Sequence, residues 1–207
     1  MIYERFNSGD ARILIWEISE TEEELITSLS NFDAYLIDFE KMGTAKRRLE
    51  FLAARIALNS LAERELIVVY DNCGKPYLKD KSFNISISHT KNLVAVMVHP
   101  TRKAGIDIES VSDRVMKVRN KYLSEEEQKH LYSENADTQK MQIAWSAKEA
   151  IYKIIGPEAV DFKNQLRILP FESKSEGTLL VEHLPTNNVF ELSYKVTQQF
   201  NLAYCNE

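Results

Sequence analysis

Residues 105–109 read Gly105-Ile106-Asp107-Ile108-Glu109, and their alternation decides how the second half of the chain is organised. In an extended strand successive side chains point to opposite faces. Ile106 and Ile108 therefore belong to a buried face, while Asp107 and Glu109 project together from the other. Two carboxylates held side by side repel unless water or a cation separates them. Two readings stand open at this point. One is a solvated strand edge beside a turn. The other is an oxygen-only ligand pair of the kind that suits Mg²⁺, which takes one or two carboxylates along with substrate phosphates and water.

Downstream of this strand, Ser124 and Glu127 have capping-box spacing and open a short helix to about Ser133. A longer helix is expected from Thr138 to Ile155, stopped by Gly156-Pro157. On it Trp145, Glu149 and Lys153 are four apart and share one face. That pattern also fits an ordinary Glu–Lys surface pair beside a buried tryptophan. Strand-like patches follow at Leu179–Val181, Val189–Tyr194 and Leu202–Tyr204.

Upstream, Ile13–Trp16 reads as a strand, and Thr21 with Glu24 opens a helix over about 22–30. Residues 44–65 contain no Gly or Pro, and Leu49, Leu52, Ala53, Ile56 and Ala57 form a stripe at helical spacing. Leu66–Tyr70 is a strand candidate closed by the turn Asp71-Asn72-Cys73-Gly74. Residues 83–88 alternate apolar and polar, and 93–98 follow after a short polar break, which together predict a hairpin. The expected fold is α+β, in two halves of about equal size, 1–100 and 101–207, each with one long helix and a meander. The segment between Asp113 and Lys121 holds four basic residues against one acidic, and is either a solvated basic loop or a surface for an acidic partner.

Composition removes several functions. The 207 residues are 44% hydrophobic and 28% charged, which predicts a packed core. A net charge of −5 argues against a nucleic-acid binder held by phosphate contacts. The cysteines, Cys73 and Cys205, lie far apart with no metal-ligand spacing, which fits a reducing, cytoplasmic compartment. The start Met1-Ile2-Tyr3-Glu4-Arg5 is unlike a secretory signal, and the apolar runs are too short to span a bilayer, so no membrane is expected. The six glycines stand singly, so neither a Walker loop nor a dinucleotide fingerprint exists.

Taken together, the motifs resemble those of the 4′-phosphopantetheinyl transferases. The carboxylate strand followed by Trp145-Ser146-x-Lys148-Glu149-Ala150-x-x-Lys153 is similar to the family signature. Gly74-Lys75-Pro76, Asn84-x-Ser86-x-Ser88-His89 and Tyr122-x-Ser124-x-x-Glu127 match further elements in order, with tyrosine where the family has phenylalanine. Lys46-Arg47-Arg48-x-Glu50-Phe51-Leu52-Ala53-x-Arg55 resembles the basic N-terminal helix of the larger, surfactin-synthetase-activating subclass. The resemblance covers about residues 44–155, and the C-terminal strands match only in general character.

The resemblance implies a monomer whose two similar halves pack as a pseudo-dimer, with the active site between them. It implies transfer of the 4′-phosphopantetheine of coenzyme A to a serine of an acyl or peptidyl carrier protein, with release of adenosine 3′,5′-bisphosphate. By motif, Asp107, Glu109 and Glu149 would hold Mg²⁺, with Glu149 also a candidate base and Lys153 reaching a phosphate oxygen. Arg47, with Lys46 and Arg55, would meet the 3′-phosphate. Lys75 and Pro76 would flank the adenine, and Ser88 and His89 would lie at the nucleotide phosphates. Glu127 is explained by its cap as readily as by catalysis. Competing readings are a Mg²⁺-dependent hydrolase of a nucleotide diphosphate and a non-catalytic coenzyme A or carrier-binding paralogue.

Overall fold

Antiparallel hairpins and two long helices account for most of the chain. The structure is a computed structural model that describes residues 1–131, 138–156 and 161–207. The chain divides into two units, Met1–Lys103 and Ala104–Glu207.

In the first unit, strands β1 (Ile2–Ser8) and β2 (Ala11–Glu17) form a hairpin, and β5 (Asn84–Thr90) and β6 (Leu93–His99) form another. β2 pairs with β6, giving the sheet order β1-β2-β6-β5. Between the hairpins lie α1 (Glu22–Thr27), a 3₁₀ turn (Phe32–Tyr35), α2 (Leu36–Glu40), α3 (Ala45–Ala62) and the ribbon β3 (Val68–Tyr70) and β4 (Pro76–Leu78). The predicted capping box is present: Thr21 and Glu24 each accept the other's backbone N–H. Thr44 caps α3 by accepting from Arg47 N–H. Leu52, Ala53, Ala57, Leu58 and Leu61 on α3 pack into one core with Leu14, Val94, Val96 and Val98 of the sheet.

Several elements of this unit escape the sequence reading, among them β1, β4 and the 32–40 segment. β1 is an edge strand with no fully buried side chain, so its alternation carries little apolar signal. The 32–40 segment is too short for a clear period, yet Tyr35 and Phe39 are buried. The Tyr35 hydroxyl donates to the Leu66 carbonyl and accepts from Val68 N–H, which fixes this segment to the start of β3.

The second unit is built on β7 (Ala104–Ser110), α4 (Arg114–Tyr122), α5 (Glu125–Leu131), α6 (Thr138–Ile155), α7 (Phe162–Gln165), β8 (Leu166–Ile168), β9 (Glu176–His183), β10 (Asn188–Val196) and β11 (Phe200–Asn206). Its antiparallel sheet runs β7-β11-β10-β9-β8. α6 packs on it through Ile143, Ala147, Ala150, Ile151 and Ile154, against Leu179, Val181, Leu192 and Cys205. The architecture is α+β. The expected helix end near Ser133 and the stop at Pro157 lie outside the described residues.

The 113–121 segment is a helix, not a loop. Val115 and Tyr122, seven residues apart, are both buried and supply the helical stripe that a view of the charges alone conceals. Gly105 sets the spacing of strand and helix. A Cβ there would come within 2.3 Å of the Ala150 carbonyl oxygen and 2.7 Å of Ile154 Cγ1, so only glycine lets β7 lie this close to α6.

Candidate functional site

The strand that opened the sequence reading turns its carboxylates toward α6. Asp107 is 5% exposed and Glu109 is half-buried, so this is not a solvated strand edge. On the opposite face Ile106 and Ile108 are fully buried, as the alternation requires. The face of α6 that carries Trp145, Glu149 and Lys153 meets this strand. Trp145 Nε1 donates to Glu109 Oε1 at 3.2 Å. Lys153 Nζ donates to the Ile106 carbonyl at 2.7 Å and pairs with Asp107 Oδ1 at 3.1 Å.

Glu149 stands between these two contacts on the helix. Its carboxyl is pushed up to about 7, first by burial and then by the charge of Asp107, with Glu109 adding and Lys153 opposing. Glu109 is likewise raised, by burial and by Asp107. Asp107 opposes the ionisation of both Glu109 and Glu149, so this corner is a site in want of positive charge, and Lys153 supplies only part of it.

Their all-oxygen donor set fits Mg²⁺ in kind. Among the described residues, however, no group of three His, Cys, Asp or Glu side chains is spaced to grip an ion by itself.

Glu127 has a different place. Its carboxylate is fully buried, accepts from Ser124 N–H at 2.8 Å as a capping box, and accepts from Ile168 N–H at 2.8 Å. It also pairs at 2.7 Å with Lys148 Nζ, which is fully buried too. Lys148 further donates to the carbonyls of Tyr122, Phe162 and Leu166, joining α4, α5, α6, α7 and β8 at one point. Burial lowers its pKa to about 8 against the pull of Glu127. Sequence reading gave Lys148 no role. The signal for it was the residue type itself, a lysine followed by Glu149 on a helix whose other neighbours are apolar.

The first unit holds the remaining candidates. Lys46 and Arg47 lie in the first turn of α3 with exposed side chains. Both reach Glu50, one turn on and only 4% exposed, at 3.5 and 3.2 Å. His89, on β5, approaches the same carboxylate through Nδ1 at 3.4 Å, and Arg47 Nη1 lies 2.5 Å from His89 Nε2. Arg47, Lys46 and His89 are thus brought together around Glu50, a residue singled out by no sequence argument although its spacing from Lys46 and Arg47 permits both pairs.

Ser88, adjacent in β5, is 7% exposed. Arg55 is 1% exposed and lies beneath Tyr35, Phe51 and Tyr70. It donates to the Phe51 carbonyl and the Tyr70 hydroxyl, and burial lowers its pKa. Lys75 and Pro76 follow a turn in which Asp71 Oδ1 accepts from Cys73 and Lys75 N–H and Gly74 takes φ +80°. Lys75 is half-buried, and its pKa is lowered by burial and by Lys103, against Asp71.

Compared with models of protein families, residues 103–205 match that of the 4′-phosphopantetheinyl transferase superfamily. No curated protein matches the chain.

Proposed function

Because residues 103–205 belong to the 4′-phosphopantetheinyl transferase superfamily, we propose that this protein transfers the 4′-phosphopantetheine arm of coenzyme A to a serine of an acyl or peptidyl carrier protein. The product nucleotide is adenosine 3′,5′-bisphosphate and the cation is Mg²⁺. The observation that carries the reading is the carboxylate set Asp107, Glu109 and Glu149, partly balanced by Lys153, inside the matched segment.

In the proposed reaction the serine Oγ bonds to the phosphorus bearing the pantetheine arm. The bridging P–O bond to the nucleotide breaks, and the serine proton must be taken up. Bound Mg²⁺, held by Asp107, Glu109 and Glu149, would neutralise charge growing on the leaving nucleotide. Glu149, whose carboxyl burial and Asp107 push up to about 7 in the metal-free protein, is also the candidate base for the serine proton, directly or through a water. Lys153, one turn further along α6, offers its ammonium to a phosphate oxygen.

In the first unit, Arg47 and Lys46 would receive the 3′-phosphate, with Arg55, whose buried Nε has no hydrogen-bond partner, behind them. His89 and Ser88 would serve the nucleotide phosphates, and Lys75 and Pro76 the adenine. The two-halved pseudo-dimeric monomer implied by the motifs is part of the same proposal. We place the reaction in the cytoplasm, the reducing compartment that the two distant cysteines fit. Among the described residues no helix is long and apolar enough to cross a membrane.

The carrier protein would approach α4. Arg114, Lys117 and Lys121 are exposed and lie at i, i+3 and i+7, on one side of that helix. Arg119 is turned to the Met116 carbonyl instead.

The test is the mass of a carrier protein incubated with coenzyme A and Mg²⁺. A gain of one phosphopantetheine supports the proposal. Nucleotide cleavage without that gain indicates a hydrolase, and neither indicates a binding module. Glu149→Gln should lower transfer by at least about a hundredfold while the circular dichroism spectrum is unchanged. A variant retaining a tenth of wild-type turnover would remove Glu149 from the mechanism.

A further inference from the structure

The cluster around Glu50 poses a puzzle, because a phosphate-binding site has no electrostatic use for a buried carboxylate. Glu50 is 4% exposed and takes Lys46, Arg47 and His89 onto its two oxygens. A guanidinium only donates, so the 2.5 Å contact makes His89 Nε2 the acceptor from Arg47 Nη1. The ring proton then sits on Nδ1, facing Glu50 Oε2 at 3.4 Å. Both Nη1 hydrogens of Arg47 are spent in this way, one on Glu50 and one on His89. Among the described residues the Nη2 and Nε donors of Arg47 have no protein acceptor, and its side chain is 57% exposed. The inner edge of the guanidinium is pinned, and the outer edge presents the two-donor fork that matches two oxygens of a phosphate monoester.

We propose that Glu50 is a positioning residue: it anchors Arg47, and through it the tautomer of His89, so that the free edge of the guanidinium is aimed before a terminal phosphate arrives. This rests on the reading of Arg47 as the partner of the nucleotide 3′-phosphate. It adds that specificity for that phosphate depends on a side chain that never touches it.

The sign of the effect separates this from simple electrostatics. Removing a negative charge beside two cations strengthens anion binding if charge alone matters. If anchoring matters, removal weakens binding, because an exposed arginine must then be ordered at the moment the ligand binds.

The experiment measures, by calorimetry on the full chain, dissociation constants of adenosine 3′,5′-bisphosphate and of adenosine 5′-monophosphate, which lacks the 3′-phosphate. Wild type, Glu50→Gln, Glu50→Asp, Arg47→Ala and the double variant Arg47→Ala/Glu50→Gln are compared. Wild type should favour the bisphosphate by about tenfold or more. Glu50→Gln should weaken the bisphosphate by about three- to tenfold and the monophosphate by clearly less. Glu50→Asp should restore part of the loss, and in the Arg47→Ala background Glu50→Gln should have no further effect. If Glu50→Gln does not fold, Glu50→Asp and its Arg47→Ala double variant carry the same comparison. Tighter or equal bisphosphate binding in the Glu50 variants overturns the positioning role alone. A wild type indifferent to the 3′-phosphate overturns the nucleotide reading of the cluster on which that role rests.

Discussion

Lys148→Met should destabilise the second unit by about 4 kcal/mol at pH 7 and by much less at pH 5. Methionine keeps the length of the side chain and removes its charge. Glu127, fully buried, then loses its ion-pair partner at 2.7 Å and retains only the N–H groups of Ser124 and Ile168. Breaking a buried pair in this way is expected to cost about 3–5 kcal/mol. A carboxylate stranded in such a pocket can instead take up a proton. That costs about 1.4 kcal/mol for each pH unit above the ordinary glutamate value near 4.3. The protonation route therefore sets the loss at about 4 kcal/mol at pH 7 and about 1 kcal/mol at pH 5. The carbonyls of Tyr122, Phe162 and Leu166 lose their donor at either pH, a part that does not titrate.

Urea unfolding followed by Trp145 fluorescence reads this directly, in a Trp16→Phe background that leaves one tryptophan in the chain. Trp145 packs against Tyr122 and Phe162 at ring separations of 5.0 and 6.0 Å, beside two of the carbonyls that Lys148 holds. Adding Glu127→Gln should recover the pH-dependent part of the loss. A loss below about 1 kcal/mol at pH 7, or one that does not shrink at pH 5, would refute the argument.

Three further outcomes follow from the geometry. Gly105→Ala should destabilise the second unit by about 1–3 kcal/mol or more and lower transfer, since the added carbon meets backbone at 2.3 Å; unchanged unfolding and turnover would contradict the close contact. Lys117→Glu with Lys121→Glu should raise the KM for carrier protein but not for coenzyme A, with an effect that fades as salt rises, and a carrier KM unchanged at low salt would remove α4 from the docking surface. Mg²⁺ must displace the proton that Glu149 holds below about pH 7. Affinity of the metal-free protein should thus rise by up to about tenfold per pH unit below 7 and level off above. Calorimetry in buffers of different ionisation enthalpy measures that proton release, and a flat profile between about pH 6 and 8 would contradict it.

Local pattern was enough to place the long helices, the 84–99 hairpin and the carboxylate strand, because each depends on a period or a cap visible within a few residues. Thr21/Glu24 and Ser124/Glu127 form the capping boxes that their spacing implies. What local pattern does not contain is convergence. The acceptors of Lys148 come from positions 122, 127, 162 and 166, and nothing in their sequence neighbourhoods marks them as one cluster. Glu50 has the look of a surface residue in a charged helical turn, and only the approach of β5 to α3, which places His89 on it, shows otherwise. α4 was hidden for the opposite reason: its basic residues dominate the segment, while its helical identity rests on Val115 and Tyr122.

The contact at Gly105 limits how the carboxylate site can be altered. β7 and α6 already stand as near as their main chains allow, so inward travel of the strand is not available to compensate for a shortened ligand. A substitution such as Glu109→Asp leaves a gap that must be filled by water or by the substrate. Lengthening Asp107 to glutamate has to be absorbed by the side chain alone, against Lys153. The site can thus be tuned through side-chain length and hardly at all through backbone adjustment. Variants meant to test the proposed cation site should change the carboxylates and leave position 105 untouched.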